Sequence, residues 1–84
     1  MRYCLITFRS VTPAQRGEHA LRKAGVDCAL SRTPRFMEEQ GCGYSLRLRP
    51  GDGARAAVIL RQQQIPFRKA YLWSDSGEAE EMQV

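Results

Sequence analysis

Apolar and polar residues alternate along the start of the chain, with Cys4, Ile6 and Phe8 on one face and Tyr3, Leu5 and Thr7 on the other. A period of two over residues 2–8 predicts a strand. Ser10-Val11 breaks the alternation, and Thr12-Pro13-Ala14-Gln15 reads as a helix start. Thr12 can cap, Pro13 suits the first helical position, and Gln15 can reach back as in a capping box. Ala14, Gly17, Leu21 and Ala24 then recur at helical spacing until Gly25, a natural stop, with Arg22 and Lys23 in the last turn. Val26, Cys28 and Leu30 alternate as a second strand. A long connection over residues 32–43 holds Pro34, Gly41 and Gly43. Tyr44, Leu46 and Leu48 form one face of a third strand, and Ser45, Arg47 and Arg49 the other. Pro50-Gly51-Asp52-Gly53 turns the chain, with Asp52 as N-cap of a second helix over residues 53–64 whose inward positions are Ala54, Ala57, Val58 and Leu60. Ile65-Pro66 ends it, and Phe67 to Trp73 reads as a fourth strand.

The predicted order is βαββαβ. Two right-handed βαβ crossovers in that order give an α+β, ferredoxin-like fold: a four-stranded antiparallel sheet with both helices on one face. The domain spans residues 1–73, and residues 74–84 form an acidic tail expected to be mobile.

Eighty-four residues, 43 % of them apolar, suffice for one small domain with a modest core. Charge is unevenly spread. Residues 74–84 carry Asp75, Glu78, Glu80 and Glu81 and no base, so the first 73 carry 13 bases against five acids, a net of +8. Eleven of the bases are arginine, whose planar fork of donors suits anionic partners. Nucleic acid is not the expected partner. An RNA-recognition sheet would show aromatics on the open face of the third strand, where this chain has Ser45, Arg47 and Arg49. No apolar run is long enough to span a membrane.

Three cysteines, none in a CxxC spacing, and a single histidine argue against a closed metal site and for free thiols in a reducing cytoplasm. Cys4 and Cys28 fall on inward strand faces, where a free cysteine acts as a small hydrophobe. In the predicted sheet a strand separates them, which argues against a disulfide between them. His19 lies off the apolar stripe of its helix and reads as an exposed residue.

Gly41-Cys42-Gly43 differs from both. A thiol between two glycines has little side-chain cover, and its neighbours permit unusual backbone angles and close approach by another molecule. Such a cysteine is a candidate for chemistry, which requires exposure and a stabilised thiolate. The alternative is a tight turn into a strand. Topology places the Cys42 connection at the sheet end where the first helix begins, near Arg9 and Ser10, where unpaired amides and the positive end of the helix dipole gather. Arg32, Arg35 and Arg47 add positive charge there, and Glu38 and Glu39 oppose it.

The combined pattern resembles the small selenium/sulfur carrier protein-like domain family. The residues that carry the resemblance are Tyr3-Cys4-Leu5-Ile6-Thr7-Phe8, Lys23-Ala24-Gly25-Val26, Thr33-Pro34-Arg35, Cys42-Gly43 and Leu46-Arg47, across roughly residues 2–73. Pro-Arg followed by Cys-Gly in the central loop is the specific part. Where relatives have a short serine-rich stretch before the cysteine, this chain has Phe36-Met37-Glu38-Glu39-Gln40-Gly41. The resemblance implies that Cys42 carries selenium or sulfur as a perselenide or persulfide from a desulfurase-type donor to an acceptor enzyme. Arg35 and Arg47 would stabilise the anion, while Gly41 and Gly43 give access. Such a carrier acts stoichiometrically and needs no bound cofactor. The alternative is a ferredoxin-like module that binds an anion, nucleic acid or protein without thiol chemistry. A homodimer through the open sheet face fits either reading.

Overall fold

The computed structural model describes residues 2–32, 43–74 and 79–82. Its elements are β1 (Arg2–Phe8), α1 (Val11–Lys23), β2 (Cys28–Arg32), β3 (Tyr44–Leu48), a 3-10 turn at Pro50–Asp52, α2 (Gly53–Gln62), β4 (Ala70–Ser74) and β5 (Ala79–Glu81). The strands form one antiparallel sheet in the order β2-β3-β1-β4-β5. The first four strands, alternating with two helices, give the α+β arrangement that the periodicity predicts.

The sheet has five strands rather than four. Ala79–Glu81 extends it by pairing with β4, Leu72 opposite Glu80. All three residues of β5 are exposed, so no hydrophobic alternation announces the strand. Backbone pairing holds it, together with Met82, whose amide donates to the Ala70 carbonyl at 2.8 Å.

The core lies between the sheet and the helices. Cys4, Ile6 and Phe8 of β1, Leu46 and Leu48 of β3, Leu21 of α1 and Leu60 of α2 are buried together. Gly17 permits the closest approach. A Cβ there would meet Leu60 Cδ2 at 3.1 Å, and Leu46 Cδ1 and Phe8 Cζ at 3.2 Å, so one glycine brings α1 against α2 and the sheet at once.

Element edges differ from the sequence reading for physical reasons. Ser10, not Thr12, is the N-cap of α1, and Pro13 sits inside the first turn, where no intrahelical amide bond is lost. In α2 the buried positions are Gly53, Ala56, Ala57 and Leu60, whereas Ala54 is exposed and Val58 is 50 % exposed. The helix is rotated so that its small residues meet the sheet. β4 begins at Ala70, not Phe67. Before it, the Thr7 amide donates to the Lys69 carbonyl while the Arg68 amide donates to the Thr7 carbonyl, so two residues stand opposite one. Such a local doubling interrupts regular strand geometry.

Both helices end in the same way. Gly25 at φ +85° follows α1, and the Gly25 and Val26 amides donate to the Arg22 and Leu21 carbonyls. Gln64 at φ +57° follows α2, and the Gln64 and Ile65 amides donate to the Arg61 and Leu60 carbonyls. This paired closure requires a left-handed residue, usually glycine.

Candidate carrier site and the two core thiols

Of the predicted site residues, Arg35, Gly41 and Cys42 lie outside the described residues. Both flanks of their loop are described. β2 ends at Arg32, and β3 starts at Tyr44, which stands opposite Arg32 on one side and Phe8 on the other. The chain therefore leaves and rejoins the sheet at the end where β1 hands over to α1, as the topology predicts. Ser10 caps α1 there in extended geometry, makes no side-chain cap bond, and is followed by no acidic residue in the first turn. Gly43 is buried against this end. The Arg32 guanidinium lies 5.8 Å from the Tyr44 ring centroid.

Arg47 stands apart from this end. Arg47 is four positions along the strand from Gly43, roughly 13 Å at the usual strand rise. Its guanidinium lies over the Tyr3 ring, 5.2 Å from the centroid, and Tyr3 is near the start of β1, at the far end of the sheet. The arginines flanking Gly43 by register are Arg32, opposite Tyr44, and Arg9, which follows Phe8, the other partner of Tyr44.

The sequence signal missed Ser45. It sits two residues after Gly43, opposite Thr7 and Ser31, and is fully buried on the sheet face away from the helices. Its Oγ has no hydrogen-bond partner among the described residues. Thr7, by contrast, donates from Oγ1 to the Lys69 carbonyl and accepts from the Lys69 amide, both at 3.1 Å. A buried, unpaired hydroxyl is costly and calls for an explanation, but period-two patterning marks Ser45 only as an outward polar position.

The other thiols are core residues, as the strand pattern predicts. Cys4 is fully buried, and burial pushes its thiol up from 9.0 to about 11. Its Sγ lies 3.6 Å from Met82 Sδ. Cys28 is also buried, with Sγ 3.8 Å from the Glu18 carbonyl oxygen. Burial raises its thiol as well, opposed by the charge of Arg22, whose Nη2 donates to the Cys28 carbonyl at 3.1 Å. Neither is in a disulfide, and β3 lies between their strands. At neutral pH both remain protonated, and the thiol form is a poor nucleophile.

Comparison with protein families matches residues 3–72 to the Putative Se/S carrier protein-like family. The chain belongs to that family. The match takes in β1 through most of β4 and both helices, and stops before β5, so the fifth strand lies beyond the part shared with the Se/S carrier protein-like family. No curated protein shows a significant match to the chain. Among the described residues, no helix is long and apolar enough to cross a membrane.

Proposed function

We propose that this protein carries selenium or sulfur on Cys42, as a perselenide or persulfide, between a desulfurase-type donor and an acceptor enzyme. The observation that supports this reading is a contrast among thiols. Membership of a carrier-like family calls for an exchangeable cysteine. Cys4 and Cys28 are packed in the core with raised pKa values, which leaves Cys42, between its two glycines, as the candidate.

In the sulfur case the Cys42 thiolate attacks the outer sulfur of a donor persulfide. One S–S bond forms as the donor's S–S bond breaks, and the donor departs as a thiolate, with no net oxidation. Gly41 leaves room for the donor's active site, whereas Gly43, which is buried, does not give the access that the sequence suggests. Arg35 stabilises the anion, whereas Arg47 is held over the Tyr3 ring at the far end of the sheet and takes no part. The amides at the start of α1 favour negative charge at the same end of the sheet. The protein turns over no substrate of its own, needs no cofactor, and works in a reducing cytoplasm, where its thiols stay free. The scaffold in this reading is a ferredoxin-like domain over residues 1–73 with an added edge strand.

The test is incubation with a cysteine desulfurase and cysteine, followed by intact-mass measurement. The wild type is expected to gain the mass of sulfur and Cys42→Ser to gain none. Equal gain by Cys42→Ser, or no gain by the wild type, overturns the proposal.

A further inference from the structure

The sheet face away from the helices carries a feature that thiol transfer does not use. At the end opposite Gly43 there is a hollow of about 510 Å³, lined by Arg2, Tyr3, Ala29, Arg47, Arg49 and Pro50 among others. Its size falls within the usual range of small-molecule sites. Three arginines face one acid in its lining, Asp27. Arg2 and Arg47 have no carboxylate partner among the described residues. Arg49 meets Asp27 at 3.5 Å in a pair whose side chains are both largely exposed, and such a pair is held weakly.

The aromatic part is ordered in layers. Trp73 meets Tyr3 edge-on, with centroids 5.1 Å apart and planes at 72°. Arg47 covers the Tyr3 face. Because Arg47 is exposed, the outer face of its guanidinium is open to a further planar group. Ala29 stands opposite Arg47 in the register and, being small, leaves that space unfilled.

We propose that this hollow binds a nucleotide, with the base stacked on the Arg47 guanidinium above Tyr3 and the phosphate held by Arg49, with Arg2 at the rim. Bases stack on guanidinium planes and aromatic rings, and arginine forks match phosphate oxygens. A bare anion would leave the walls of Tyr3, Ala29 and Pro50 uncovered, so the site suits a ligand with a flat apolar part as well as charge. The third strand alone gave no sign of this, because the aromatic layer comes from β1 and β4. The same chemistry is offered by a free mononucleotide or by a residue of a single strand. The site is independent of Cys42.

The only tryptophan of the chain, Trp73, reports on the hollow. AMP, adenosine, inorganic phosphate, a single-stranded oligoadenylate and an oligoglutamate peptide are titrated against full-length protein while Trp73 fluorescence is followed. Saturable change with AMP, with adenosine and phosphate each much weaker, is the expected result. Arg47→Ala is expected to weaken AMP at least about tenfold. Ala29→Leu, which fills the hollow without altering charge, is expected to do the same, and Cys42→Ser to leave binding unchanged. Tighter, steeply salt-dependent binding of the oligoadenylate identifies the single strand as the source, and equal affinity per nucleotide identifies the free nucleotide. Phosphate binding as well as AMP, oligoglutamate binding in place of both nucleotide probes, or no saturable response to either nucleotide probe overturns the proposal.

Discussion

Met82 Sδ lies 3.6 Å from Cys4 Sγ, so the last described residue of the chain closes over the first strand. A Cβ on Gly53 would come within 2.9 Å of both Cys4 Sγ and Met82 Cε, so the start of α2 completes the contact. Three distant segments share one small apolar joint.

That joint predicts how the tail matters. Met82→Ser removes thioether packing and sets a hydroxyl beside a buried thiol. The expected loss is about 1–2 kcal/mol, read from the urea midpoint. Gly53→Ala is expected to cost a similar amount, because fully buried Cys4 has little room to yield. Truncation after Ser74 is expected to bring Cys4 into reaction with a thiol reagent in native buffer, whereas full-length protein protects it. Unchanged Cys4 reactivity would show that β5 does not cover it.

The buried thiols set a pH dependence. An unfolded cysteine ionises near pH 9.0, while folded Cys4 keeps its proton to about pH 11. Between those values the folded state binds more protons than the unfolded state, so stability falls as pH rises. The contribution is present in full below pH 9 and is lost as pH climbs through 11, on the order of 2–3 kcal/mol. Urea unfolding from pH 7 to 11.5 is expected to show a steeper alkaline decline for the wild type than for Cys4→Ala. Parallel curves would sink this account.

Gln64 marks a place where the chain can be improved. Its φ of +57° serves the closure after α2 that Gly25 serves after α1. A left-handed residue other than glycine costs roughly 1–2 kcal/mol. Gln64 is exposed, so Gln64→Gly loses little contact and is expected to raise stability by up to about 1 kcal/mol, less than the full strain because glycine frees the unfolded chain. The thermal midpoint should rise by a few degrees.

Ser45 separates stability from function. Its buried hydroxyl has no hydrogen-bond partner among the described residues, and Ser45→Ala is expected to raise stability by about 1 kcal/mol. Ser45 is two residues from Gly43 in the chain. Reduced sulfur loading in a more stable Ser45→Ala protein would assign it to transfer. Unchanged loading would make it a purely structural liability.

Much of the scaffold was legible because burial imposes a period. Cys4, Ile6 and Phe8 had to share a face, and Tyr44, Leu46 and Leu48 had to meet them. The α2 face was read less well. A run such as Ala54-Arg55-Ala56-Ala57-Val58 supports more than one apolar stripe, and close packing chose Ala56 over Val58. β5 was not legible, since an exposed Ala-Glu-Glu strand is held by backbone bonds that have no side-chain signature. Of the candidate site, the sequence predicted a connection over residues 32–43, of which Arg32 instead closes β2 and Gly43 precedes β3, and it marked Cys42, outside the described residues, by its glycines. It grouped Arg47 with that loop, although its guanidinium lies over Tyr3.

By itself the sequence determined the alternation of strands and helices, the two thiols that face inward and the one set between glycines, because solvent and chain geometry act on every residue locally. Only the tertiary structure decided which distant groups touch: Met82 on Cys4, Arg47 on Tyr3, and Ser45 sealed from water. Those meetings depend on register and on the rotation of whole elements, and no local pattern encodes either.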